Sequence, residues 1–178
     1  MFDEVLKFWF EDAGPASWWQ ATPDFDHLVR ARFESVLSQA ALGELEHWRR
    51  SSRGRLAEII VLDQFSRNIY RGTPKAYAQD VTALVLAQEA IALGAPADFN
   101  VVQRSFLYMP FMHSESKAIH ARAELLFKEL NVESNYDFEL KHKAIIDRFG
   151  RYPHRNALLG RTSSDEELAF LKLPGSSF

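Results

Sequence analysis

Cysteine is absent from the 178 residues, which excludes disulfides, zinc–thiolate sites, iron–sulfur clusters and thiol nucleophiles together. A chain without thiols suits a reducing compartment, so cytoplasmic residence is the expectation. Long apolar runs are missing as well. The most apolar stretch, VTALVLAQEAIALGA at 81–95, holds Gln88 and Glu89 and falls short of the roughly 20 residues a bilayer-spanning helix needs. The opening MFDEVLKFWFEDAG is interrupted by Asp3, Glu4, Lys7, Glu11 and Asp12 and predicts neither a signal peptide nor membrane insertion. Period-two alternation bounded by hairpin turns does not occur, so no strand is predicted. A glycine-rich phosphate loop, a nucleophile elbow, a dinucleotide fingerprint and a His-Glu-x-x-His motif are lacking too, and neither a cofactor nor a metal is expected.

What is present is helical periodicity almost throughout. A hydrophobic fraction of 47% is ample for a core, and the length predicts a single domain over 1–178. Thr22 as N-cap, Pro23 at the first helical position and Asp24 and Asp26 in the first turn open a helix with Phe25, Leu28, Val29, Phe33, Val36 and Leu37 on one stripe. Residues 80–94 form another, with Val81, Leu84, Val85, Ala87, Ile91 and Leu93 apolar and Gly94 at the C-terminal cap. Ser134 and Gly150 bracket a third, and Ser163 with Glu166 stands in capping-box register for a fourth that Pro174 stops. Further helices are predicted near 2–10, 52–65, 99–109 and 114–131, the one at 99–109 ended by Pro110. Trp9, Trp18, Trp19 and Trp48 are assigned to the core. The fold class is all-α, built of packed antiparallel helix pairs.

Charge is unevenly distributed. Segment 49–75 carries seven basic residues against two acidic, and segment 141–161 six against one, so a net charge of −3 conceals an acidic remainder. That separation predicts a positive surface that takes a small anion or an acidic peptide terminus, not nucleic acid. The two basic segments share an echo, RNIYRG at 67–72 and RNALLG at 155–160, where Asn and Gly suit left-handed backbone and Arg suits exposed carbonyls.

The stretches LDQFSRNIYRGTPKAY, YMPFMHSESKA and HKAIIDRFGRYPHRNALLGRTSSDEELAFL, with VLKFWF near the start, together resemble the bacterial domain-of-unknown-function family DUF924. The resemblance runs nearly end to end and implies a tetratricopeptide-like helical array; it carries no activity with it. Two places depart from the family pattern. Ser66 stands where Pro is more usual before Arg-Asn, and SKAIH at 116–120 replaces a more acidic stretch, which counts against a role for His120.

The candidate site follows from residue chemistry. Arg67, Asn68 and Arg71 with Arg151, His154, Arg155 and Asn156 offer forked donors and amides suited to phosphate or carboxylate. The ordinary structural reading is that such arginines cap carbonyls or pair with carboxylates such as Asp63. His113, projecting beside Glu115 where Ser114 can cap the next helix, and His142 are the acid/base candidates, with Asp63 or Glu115 to orient them. Asp63, His113, Glu115 and His142 can also form a polar cluster with metal-ligand chemistry, although their spacing matches no metal motif. His120 and Glu124 read as an exposed surface pair. Three functions remain open on these grounds: a binder of a small anionic ligand or acidic peptide terminus, a hydrolase of a phosphorylated or carboxylated small molecule, and a protein-interaction scaffold with structural arginines.

Overall fold

The computed structural model describes residues 1–19 and 22–177, and all regular structure among them is helical. In chain order the α-helices are α1 (Phe2–Lys7), α2 (Gly14–Trp18), α3 (Pro23–Ala41), α4 (Ser52–Ile60), α5 (Ser66–Ile69), α6 (Asp80–Ala92), α7 (Val101–Met112), α8 (Lys117–Leu130), α9 (Glu133–Phe149) and α10 (Asp165–Phe170). Residues Phe8–Ala13 prolong α1 as a π-helical turn, and Val61–Phe65 form a second such turn between α4 and α5, so helical backbone runs from Ser52 to Ile69. Among the described residues no helix is long and apolar enough to cross a membrane. The chain divides into two compact units, Met1–Pro110 and Phe111–Phe178.

The first unit is built around aromatic rings. Phe33 lies 4.9 Å from Phe8 and 4.8 Å from Phe65, while Trp9 meets Phe65 at 5.6 Å and Phe106 at 5.5 Å. Edge and tilted contacts of this kind add to the area the rings bury. Trp9 and Trp48 are buried as expected, whereas Trp18 is half-buried and Trp19 is 64% exposed, its ring stacked on Phe106. Helix α3 starts as its sequence says, the Thr22 hydroxyl accepting from the Phe25 amide at 3.3 Å, yet Leu28 points outward. On α6 the buried stripe is Ala83, Leu86, Ala87 and Ala90, and the larger Val81 and Val85 face solvent. Small side chains there let α6 approach α4, a packing demand that outweighs side-chain hydrophobicity. Asn100 and Gln103 exchange side-chain bonds at the start of α7, and Pro110 lies inside that helix instead of ending it. So near a C-terminus the missing N–H forfeits a single ladder bond.

Gly54, in the first turn of α4, is required for a different reason: a Cβ there would lie 2.0 Å from the Trp48 carbonyl oxygen, a backbone atom that cannot step aside alone. Gly54→Ala is expected to lower stability by roughly 1–3 kcal/mol, measured by urea denaturation of the full chain. A neutral result would mean that the close approach of residue 48 to α4 is soft.

In the second unit α8 and α9 form a hairpin turned by Asn131, which adopts the left-handed conformation at φ 58°. Gly150 ends α9 at φ 69°, as its position predicts, and Ile145, Ile146 and Tyr152 pack with Phe149 and Phe170. The N-terminal end of α9 is Glu133, with Val132 as the capping position, so Ser134 is not the cap. The capping box of α10 is also displaced, using Ser164 and Glu167 where Ser163 and Glu166 were predicted.

Candidate functional site

Asp63 occupies the π-helical turn between α4 and α5 and is 1% exposed. Its neighbour Arg67 grips Asp80 through two bonds of 2.8 and 3.0 Å, bonds the Asp63 carbonyl at 2.9 Å and lies 3.3 Å from the Asp63 carboxylate. Burial works against the Arg67 cation, but Asp63 and Asp80 more than offset this and hold its pKa above the ordinary arginine value. Asn68 donates to Asp26, and Arg71 forks onto the same carboxylate at 2.6 and 2.9 Å. Burial opposes ionisation of Asp26, and the bonds from Arg71 and Asn68 carry it below its usual value. The 67–72 loop is therefore an ion-pair clamp fastening α5 to α3 and α6, and Asp63 takes part in it.

The second basic segment solves a different problem. Glu115 accepts from Arg161 through both oxygens, at 2.6 and 2.9 Å, and from the Tyr152 amide at 2.7 Å. Burial would raise the Glu115 pKa, but the Arg161 fork and the Tyr152 amide bring it below the ordinary carboxylate value. Arg161 also donates to the Asn156 side-chain oxygen, so Asn156 orients an arginine of its own unit. Arg151 forks onto Glu167 at 2.6 and 2.8 Å and bonds the Thr162 carbonyl. Those bonds hold the Glu167 carboxyl at about 2 against the opposing effect of burial. Arg155 is buried, with its guanidinium 4.5 Å from the centre of the Tyr152 ring.

Tyr152 organises the histidines of this unit. Its hydroxyl donates to the Met112 carbonyl at 2.5 Å, satisfying an orphan acceptor at the end of α7, and lies 3.1 Å from His120 Nε2. The rings of His142 and His154 stand 5.8 and 5.6 Å from the Tyr152 ring. His120 is wholly buried, bonded through Nδ1 to Glu139 at 2.7 Å and through Nε2 to the Ser114 carbonyl at 2.9 Å. Because a carbonyl only accepts, Nε2 carries a hydrogen, and the His120–Glu139 bond holds one further shared proton. Burial pushes the Glu139 carboxyl up, partly countered by His120. His120 is thus no exposed partner of Glu124, and its departure from the family pattern does not remove it from the polar core.

His142 Nδ1 donates to the Phe138 carbonyl at 2.7 Å, and burial lowers the ring's pKa to about 3, against the raising effect of that carbonyl. His113, His120 and Arg155 lower it further, so His142 is neutral at ordinary pH. Ser114, proposed as a cap, offers its carbonyl to His120 instead, and Ser116 takes the capping position of α8 without a side-chain bond.

The sequence-predicted residues thus fall into two sets. Asp63, Arg67, Asn68 and Arg71 belong to the first unit; His113, Glu115, His142, Arg151, His154, Arg155 and Asn156 belong to the second. The echoed motifs share their glycine, since Gly72 and Gly160 have φ of 75° and 66°, but Asn156 is right-handed and the arginines have unrelated partners. Arg161, Glu139 and Tyr152 received no site assignment from the sequence and His120 was read as an exposed partner of Glu124, because their contacts come from residues 19 to 46 positions away. No group of three or more His, Cys, Asp or Glu able to hold a metal occurs among the described residues.

One opening differs in kind from these closed clusters. A pocket of about 250 Å³ in the first unit is lined by Leu37, Ser38, Ala41, Ser66, Tyr70, Lys75, Ala78 and Gln79. Ser66 is 1% exposed and its hydroxyl has no hydrogen-bond partner. At the rim the Lys75 ammonium lies 5.4 Å over the Tyr70 ring. Ser66 was visible beforehand as a departure from the family pattern; Lys75 and Gln79 gave no signal.

Residues 5–175 match the model of a family described as "Bacterial protein of unknown function (DUF924)". Among solved structures, a protein of unknown function from Agrobacterium tumefaciens, ATU0120, is similar at 36% identity and a TM-score of 0.92, with 96% of each chain covered. No curated protein matches the chain.

Proposed function

The chain belongs to the bacterial DUF924 family, and we propose that it is a small-molecule binding protein whose ligand sits in the Ser66 pocket, with the arginine–asparagine loops acting as structural clamps. The observation that carries this reading is the opening walled by Leu37, Ala41, Tyr70, Lys75 and Gln79, whose lining includes none of the clamp arginines. By contrast, the forks of Arg67, Arg71, Arg151 and Arg161 are each spent on a carboxylate, and an incoming anion would have to displace one. The same commitments count against the hydrolase reading, since Asp63 is tied to Arg67 and Glu115 to Arg161. The α8–α9 hairpin is consistent with the tetratricopeptide-like pairing that the resemblance implies.

The test is a thermal-shift screen of small polar metabolites against the wild type and Ala78→Trp, whose indole covers the pocket. A compound that raises Tm in the wild type and not in the variant supports the pocket. Ligands that stabilise both proteins equally, or that lose their effect in Arg155→Lys instead, place binding elsewhere and overturn the reading.

A further inference from the structure

We propose that His120 and Glu139 form a proton-operated latch on residues 113–116, the segment that joins α7 to α8. While the pair keeps its shared proton it holds that segment closed, and when the proton leaves, the hold on the segment's carbonyls is broken. All parts of the latch belong to the second unit.

Residues 113–116 are non-helical and half-buried, and three side chains from further along the chain fasten them. Tyr152 donates its hydroxyl to the carbonyl of Met112, the last residue of α7, at 2.5 Å. His120 Nε2 donates to the Ser114 carbonyl at 2.9 Å, and Arg161 forks onto Glu115. On its other side the His120 ring meets Glu139 Oε1 at 2.7 Å, and both residues are 0% exposed. The second oxygen of Glu139 is buried with no hydrogen-bond partner.

These contacts fix the number of hydrogens. Met112 and Ser114 offer carbonyl oxygens, which only accept, so one hydrogen sits on the Tyr152 hydroxyl and one on His120 Nε2. The contact to Glu139 needs a third, shared between Nδ1 and Oε1. Without that third proton, two hydrogens must serve three contacts. A carboxylate closed off from water, with one oxygen already unpartnered, has the strongest claim on a donor, because an unsatisfied charged group costs more than an unsatisfied carbonyl. The imidazole then carries its remaining hydrogen on Nδ1 and turns a lone pair towards the Ser114 oxygen. Tyr152 stands 3.1 Å from Nε2 and can redirect its hydroxyl there, but the Met112 carbonyl then loses its donor. In both arrangements the segment gives up a bond, and half-buried Ser114 lies near enough to the surface to turn its carbonyl to water.

The surroundings set the direction of the response. Burial raises the Glu139 pKa; His120 opposes this, Glu124 of α8 adds to it and Lys143 of α9 opposes it. His142 and Asp147 on α9 are within electrostatic reach of the His120 ring, and Glu115 on the segment is committed to Arg161. Because the folded carboxyl holds its proton more tightly than an exposed one does, the closed form persists below the pair's own titration and is lost as pH rises through it.

NMR of the histidine rings and backbone amides of the full chain, from about pH 6 to about pH 10, tests the latch. Two amides report on the segment: Ser114, which bonds the Phe111 carbonyl, and Tyr152, which bonds Glu115 at 2.7 Å. In the wild type the His120 ring and both amides are expected to shift with one midpoint. Protection of the amides against exchange, corrected for the intrinsic rate, is expected to fall roughly tenfold or more across it. Glu139→Gln supplies a permanent donor to Nδ1 and keeps the hydrogen on Nε2, so in this variant the amides should stay protected over the whole range. A ring that titrates while the amides do not respond overturns the latch, as does a ring that does not titrate in the range. Equal loss of protection in Glu139→Gln and wild type also overturns it, and if that variant does not fold, the wild-type midpoints decide alone.

Discussion

Replacing Arg67 with methionine is expected to destabilise the protein by roughly 3–5 kcal/mol, the effect of stranding a buried carboxylate whose partner has been removed. Asp63 is 1% exposed and Asp80 13%, and the Arg67 guanidinium pairs with both, so its loss removes a cation that two buried carboxylates share. Arg71 provides the control. It forks onto Asp26 with equally short bonds, but its side chain is 45% exposed, and water can take over its role. Arg71→Met is accordingly expected to cost about 1 kcal/mol or less. Urea denaturation of both variants settles the comparison, and the triple substitution Arg67→Met, Asp63→Leu, Asp80→Leu is expected to recover most of the loss because apolar groups then meet apolar groups. Equal, small effects for Arg67 and Arg71 would mean that the clamp is not structural. A stable Arg67→Met protein that has lost binding of a small anion would return that arginine to the ligand site.

The helix ends were legible because their signals are local. Thr22, Gly94 and Gly150 cap where their neighbours require it, and a shift of one residue at α10 shows the limit of such reading. Ser163 and Ser164 each have a glutamate three positions on; the choice falls to Ser164 because the Ser163 hydroxyl is taken by Asn156, a contact no window around the helix reveals. Helix faces were less legible. Val81 and Val85 are more hydrophobic than Ala83 and Ala87, yet the alanines face inward because α4 needs close approach. The candidate site was least legible of all. Arg67, Arg151 and Glu115 drew notice for their chemistry, but what that chemistry does depends on Asp80, Glu167 and Arg161, respectively 13, 16 and 46 residues away. Ser66 stood out in sequence as a departure from a pattern, whereas the pocket it borders is assembled from Leu37, Lys75 and Gln79, which no local window brings together.

Acid is expected to act on this protein through His142 before it acts on the carboxylate clamps. Burial, reinforced by His113, His120 and Arg155, places the folded pKa of His142 at about 3, although the Phe138 carbonyl opposes the shift; the unfolded value is near 6.5. Because the folded value is the lower one, the stabilisation is complete above pH 6.5. Below it the unfolded chain binds a proton that the native ring refuses, and stability falls by up to about 1.4 kcal/mol per pH unit until the ring protonates near pH 3. Between pH 6.5 and 5 the loss from this ring is roughly 2 kcal/mol. Glu167, Asp26 and Glu115 have lowered folded values and contribute losses only as pH falls through and below the ordinary carboxylate range, while Glu139, whose folded value is raised, takes up its proton above that range and there shifts the balance in the opposite sense. Urea denaturation of the wild type and His142→Phe at pH 7, 6 and 5 isolates the histidine, since phenylalanine keeps a ring against Tyr152 and removes the titration. The wild type should lose stability over this window and the variant should lose markedly less. Parallel curves, or an NMR titration in which the native His142 ring takes up its proton near pH 6, would show that the ring is not held neutral by its burial.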